Sequence, residues 1–233
     1  VGIHETAQPT RRLPDKCSLI ARDAYNGVEL WRRPIPNWGS AAWDAARWRF
    51  GQRDQMWSSP LTLPRRLVAA GDYVYMTMGF TASVSELDAA SGETLRQFKE
   101  TSGAEEILLH DGILLVRVRR KQAADAVLAL DVGSGRVLWD RPAGRMSDLT
   151  LAADAARVCF ANETGLVALD LRTGRELWTL PEPMRPKPIA PAETLVICDG
   201  VALFTRSGLV RAVSMAEGKV LWSRKVGATF RGP

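Results

Sequence analysis

The sequence predicts an all-β protein, a β-propeller of four-stranded antiparallel blades. Three observations carry this. An eleven-residue motif recurs five times, its turn glycines recur at about one blade's length, and strand-sized apolar runs fill the intervals.

The motif is clearest in Ala129 to Trp139 and Ala168 to Trp178, which both read A-x-D-x-x-[ST]-G-[KR]-x-x-W. A third copy, Ala21 to Trp31, keeps Asp23, Gly27 and Trp31 at the same spacing. A fourth, Ala212 to Trp222, keeps Gly218 and Trp222 but places Ser214 where aspartate is expected. The fifth, Glu86 to Arg96, keeps Asp88 and Gly92 and has Arg96 in the tryptophan position. Glycines 27, 92, 135, 174 and 218 are separated by 65, 43, 39 and 44 residues. Three of these intervals match the roughly 40–50 residues of a four-stranded blade, so the first must hold an insertion.

Each element of the motif has a physical use. Asp131 and Asp170 can accept backbone N–H groups of a tight turn, and Gly135 and Gly174 can take the positive φ that such a turn requires. The tryptophan then lies in the last strand of its blade, where a large flat ring fills the seam to the next sheet. Trp31, Trp139, Trp178 and Trp222, half of the eight tryptophans, occupy this position. The strand pattern gives a half blade over 17–33, an insertion over 34–64, and blades over about 65–100, 105–141, 148–181 and 193–226.

This motif resembles the tryptophan-docking motif of the quinoprotein, or PQQ-like, propellers. Their members include cofactor-bearing dehydrogenases and cofactor-free outer-membrane assembly lipoproteins. The resemblance implies a seven- or eight-bladed ring, so further blades are expected on both flanks. The first residue, Val1, and the unclosed end at Pro233 fit that expectation of a piece of a longer protein. The resemblance also implies a periplasmic or cell-surface location. For function it is less specific, because the motif joins blades and performs no chemistry.

In the dehydrogenases, the resemblance implies PQQ held against adjacent cysteines with a calcium ion on Glu, Asn and Asp. Cys17, Cys159 and Cys198 are far apart in sequence, and no spacing of acids such as Asp111, Asp125, Asp148 and Asp154 singles out a calcium cluster. No cofactor and no metal are expected, with PQQ and calcium kept as the alternative. Cys159 and Cys198 read as small buried hydrophobes. There is no G-x-S-x-G elbow, and the only histidines are His4 and His110, the latter read as a turn residue. No catalytic residue is assigned. Asp131 to Gly135 has two close glycines, which the repeat turn accounts for without a phosphate site.

The net charge of +5 lacks the dense basic stripe of a nucleic-acid binder. No run of about 18 apolar residues offers a membrane-spanning helix. Arg117, Arg119, Arg120 and Lys121 read as a solvated hairpin turn, and the stretch from Pro181 to Pro188 as a stiff connection.

The segment with the most distinctive composition is the insertion. Its Trp38, Trp43, Arg47, Trp48, Arg49, Arg53 and Trp57 make the aromatic and basic mixture of interaction hot spots. Those residues are the candidate partner or ligand surface, against the plainer reading of a long connection that tucks its rings inward. The expected function is a non-catalytic scaffold that binds a protein or another cell-envelope component. Two alternatives stand beside it: a PQQ-dependent dehydrogenase with diverged or missing cofactor residues, and the docking or sensory portion of a multidomain enzyme.

Overall fold

The computed structural model describes residues 1–6, 16–39, 42, 62–120, 125–182, 193–206 and 208–225. Nineteen strands among them form one three-stranded and four four-stranded sheets, every sheet following chain order. The first sheet holds β1 (Gly2–Thr6), β2 (Lys16–Arg22) and β3 (Glu29–Pro34). The second holds β4 (Leu67–Ala70), β5 (Tyr73–Thr77), β6 (Val84–Asp88) and β7 (Thr94–Phe98). The third holds β8 (Ala104–His110), β9 (Ile113–Val118), β10 (Asp125–Asp131) and β11 (Val137–Gly144). The fourth holds β12 (Ala152–Ala153), β13 (Arg157–Ala161), β14 (Gly165–Asp170) and β15 (Glu176–Pro181). The fifth holds β16 (Thr194–Cys198), β17 (Val201–Arg206), β18 (Leu209–Ser214) and β19 (Val220–Lys225). The chain divides into two compact units, Val1–Ile107 and Leu108–Pro233.

In the second unit, side-chain alternation assigns each face of a strand to a different seam. Val158 and Phe160 of β13 join Ile113, Leu115, Val127 and Trp139 in one apolar cluster. The intervening Cys159 and Ala161 join Leu195, Ala202, Phe204 and Met215 in another. A sheet buried on both faces needs apolar residues at consecutive positions, so β9 and β10 are buried nearly throughout. In the first unit Cys17, Leu19 and Ile35 pack on Val74, Met76 and Leu87 in such a seam.

Four differences from the sequence reading have local causes. The half blade gains a third strand, β1, whose pairing Ile3↔Leu19 rests on β2 and not on any strong pattern of its own. The first strand of the fourth sheet, for which the apolar run Leu149 to Ala153 is the expectation, is two residues long, because Leu149 has φ +62° and turns the chain before Ala152. Cys198 is exposed at the end of β16 beside the Asp199-Gly200 turn, whereas Cys17 and Cys159 are buried. Arg117 is not part of a solvated turn: it is fully buried in β9 with carboxylate partners, described below.

Candidate binding surface

Each motif builds the same hairpin. Asp131 Oδ1 accepts the backbone N–H of Ser134 at 2.7 Å and its hydroxyl at 2.6 Å, and Gly135 N donates back to the Asp131 carbonyl at 2.8 Å. Asp170 repeats this with Thr173, and Asp88 with Ser91. These donors favour the ionised form, holding the Asp88 and Asp170 carboxyls below the usual aspartate value. Ser214 keeps the hairpin without a carboxylate, its Oγ accepting from Glu217 N at 3.3 Å.

The tryptophan ring then lies on the next hairpin. Trp139 Nε1 donates to the Leu171 carbonyl at 2.9 Å, and a Cβ added to Gly174 would fall 2.6 Å from the Trp139 ring. Trp178 repeats the arrangement on Met215 and Gly218 in the same unit. In the first unit Trp31 repeats it on Ala89 and Gly92. The motif glycine therefore has two duties: a left-handed φ and a flat seat for the ring. Two residues beyond the ring, Arg33 and Arg141 donate to the carbonyls of Gly92 and Gly174.

Buried arginines add a second kind of joint. Arg117 reaches Asp125 at 2.8 Å, Asp148 at 2.7 Å and the Met146 carbonyl at 3.1 Å. Arg206, 2% exposed, engages both Glu193 oxygens at 2.9 and 2.8 Å and the Asn162 carbonyl at 2.9 Å. In the first unit Arg66 donates to Phe80 and Ala104 carbonyls and lies 4.3 Å over the Phe80 ring. These cations are occupied within the blades, where each buried charge has close hydrogen-bond acceptors.

Of the candidate surface residues, Trp38 is 4% exposed, packs in the first unit's apolar cluster and donates from Nε1 to the Thr77 carbonyl at 2.8 Å. Its role here is packing. Trp43, Arg47, Trp48, Arg49, Arg53 and Trp57 lie outside the described residues, as do positions 183–188 of the Pro-rich stretch.

A different surface feature recurs in every sheet. The hairpin pairing skips one residue on its last strand, so that Ala129 faces Trp139 and Leu130 faces Val137, leaving Leu138 as a β-bulge. The same skip leaves Leu30, Leu95, Leu177 and Leu221. All five leucines are exposed, from 37% at Leu177 to 59% at Leu30. The bulge kinks an edge strand and so limits indiscriminate pairing, while it sets an apolar side chain in water. The sequence carried this signal, a leucine before every motif Trp or Arg, but its apolar character reads at first as core.

Chemistry at these sites is sparse. Among the described residues no group of three or more His, Cys, Asp or Glu could hold a metal ion. Burial pushes the Cys159 thiol far up, away from thiolate reactivity. Trp139, 7% exposed, is closed into an interblade joint, and Cys17, Cys159 and Cys198 are free thiols.

No curated protein sequence matches this chain. Among solved structures it resembles BamB from Moraxella catarrhalis with a TM-score of 0.54 at 13% identity, covering 91% of this chain and 61% of that one. It resembles quinohemoprotein alcohol dehydrogenase from Comamonas testosteroni with a TM-score of 0.57 at 13% identity, covering 90% and 41%. The computationally designed Ika8 protein is similar at a TM-score of 0.55 and 15% identity, covering 69% and 48%. The chain thus spans less than two thirds of each of these structures, and at such identities the likeness establishes the propeller fold. The family model described as "Outer membrane protein assembly factor BamB" matches residues 80–232, well over half of the sequence. The blades, their motif joints and this match agree, and the chain belongs to the PQQ-like repeat propeller family of outer membrane protein assembly factor BamB.

Proposed function

We propose that the chain is a non-catalytic protein-binding scaffold for outer-membrane protein assembly, working in the periplasm. The observation that carries this reading is the recurrent bulge leucine: all five sheets present an exposed apolar side chain at one register position. Exposed apolar groups repeated by design of the backbone suit a protein partner. The match to the assembly-factor family supports a partner of that class.

The test is capture of solubilised outer-membrane assembly components by the purified chain, with a photocrosslinker at Leu138 or Leu177. Adducts to such a component are expected, and none from a crosslinker at the turn residue Lys219. The reading fails if the same chain instead reduces a dye with alcohol or sugar substrates once PQQ and calcium are added.

A further inference from the structure

Within the second unit, the Trp139 joint brings unlike side chains to one stretch of surface. Leu138 precedes the ring, is left out of the ladder by the bulge and is 43% exposed. Arg175 follows Gly174, the residue on which the ring lies, and Arg141 ties the same two hairpins together by donating to the Gly174 carbonyl at 2.9 Å. Arg136, two residues before Leu138, is exposed, as is Arg175. The leucine is thus flanked by a cation of its own hairpin and a cation of the next. The carboxylates around it are already engaged. Asp131 holds Ser134, Asp170 holds Thr173, Asp140 pairs with Arg120, and Glu176 accepts from Thr179 Oγ1 at 2.8 Å. Arg172 pairs with Asp111 at 2.7 Å, whereas Arg136 and Arg175 are in no salt bridge among the described residues. The hydrogen-bonding capacity left open beside Leu138 is therefore that of two guanidiniums.

We infer that Leu138, Arg136 and Arg175 receive an acidic, apolar segment of a protein partner. An apolar side chain of that segment packs on Leu138, and carboxylates before and after it meet the two guanidiniums, whose planar forks match a carboxylate with two parallel bonds. This deepens the scaffold reading and rests on it for the source of the segment. Exposed ion pairs add little affinity, so the arginines act chiefly by selecting an acidic segment over a basic one. A bulged edge offers one leucine per sheet and not the continuous apolar face by which a protein lies on a bilayer, which favours a protein chain over anionic lipid as the occupant. At the Trp178 joint the corresponding cation, Lys219, is engaged by Glu217 at 2.8 Å, so the open cations single out Leu138.

Fluorescence anisotropy with the purified chain tests it, using a short labelled peptide of alternating glutamate and leucine and its counterpart with lysine for glutamate. The acidic peptide is expected to bind about tenfold tighter or more, with a preference that shrinks as salt is raised. Arg136→Glu with Arg175→Glu abolishes the preference, Arg136→Lys with Arg175→Lys keeps most of it, and Leu138→Ser weakens binding of the acidic peptide. All three altered residues are exposed, and circular dichroism checks that each variant is folded. Equal affinity for the two peptides overturns the inference, as does a preference that survives Arg136→Glu with Arg175→Glu. So does a chain that binds phosphatidylglycerol vesicles through these arginines and neither peptide. Preference for the acidic peptide in a chain that captures no outer-membrane assembly component supports this site and sinks the scaffold reading. Capture that needs Leu138 but survives Arg136→Glu with Arg175→Glu does the reverse.

Discussion

Arg96 donates to Glu86 at 2.6 Å across the register pair that in the other four sheets joins tryptophan to alanine. The two departures from the motif thus compensate one another: a cation replaces the ring and a carboxylate replaces the methyl group opposite. Glu86 is 7% exposed, and Arg96 also lies 4.9 Å over the Phe98 ring. Arg96→Trp alone would remove the cation from a largely buried carboxylate, whereas Glu86→Ala with Arg96→Trp restores the pair found elsewhere. A double-mutant cycle by urea denaturation is expected to give a coupling of about 1–3 kcal/mol, with the double variant more stable than Arg96→Trp. Additive effects would show that the pair is incidental.

The same carboxylate influences Tyr75, which pairs with Glu86 across β5 and β6. Burial first, and the Glu86 charge second, push the Tyr75 hydroxyl up to about 12 from 10. Because the unfolded chain releases this proton first, the stabilisation is complete below pH 10 and falls as pH rises toward 12. Tyr75→Phe is expected to flatten the stability profile in that window, measured by denaturation at stepped alkaline pH.

The double duty of the motif glycine predicts unequal costs for one substitution. Gly27→Ala meets only the left-handed φ, a cost of about 1 kcal/mol. Gly174→Ala meets the same strain and the Trp139 ring, so about 3 kcal/mol or more is expected. Equal losses on denaturation would contradict the seat.

Removing the ring itself should follow burial. Trp139→Ala is expected to cost about 3–5 kcal/mol and Trp222→Ala less than about 1 kcal/mol. The comparison needs only two denaturation curves beside wild type.

Arg117→Ala is expected to cost about 3 kcal/mol, because Asp125, 5% exposed, loses its closest cation. Arg117→Met with Asp125→Asn should recover part of that loss, since the uncompensated charge is gone. No recovery would place the effect in packing alone.

The fold was legible because its signals are local. An aspartate, a glycine and a ring within eleven residues define one hairpin, and their recurrence defines the blade. What escaped depends on contacts distant in sequence. Arg117 sits in a run that reads as a basic turn, and its burial rests on Asp125 together with Met146 and Asp148, 29 and 31 residues on. Cys198 shares the apolar setting of Cys159, but its place at the end of the edge strand β16, beside a turn, exposes it. Strand β1 is defined by its partner β2. Of the candidate surface, Trp38 is occupied in packing, and the leucines that do reach solvent were hidden by their ordinary apolar character.

The scaffold reading is tested most directly by comparing capture of outer-membrane assembly components by the wild-type chain and by a Leu138→Glu, Leu177→Glu variant. Both side chains are exposed, so the variant should retain the wild-type melting temperature to within a few degrees. The account predicts that capture falls at least tenfold while the fold is kept. Undiminished capture by the folded variant would contradict it.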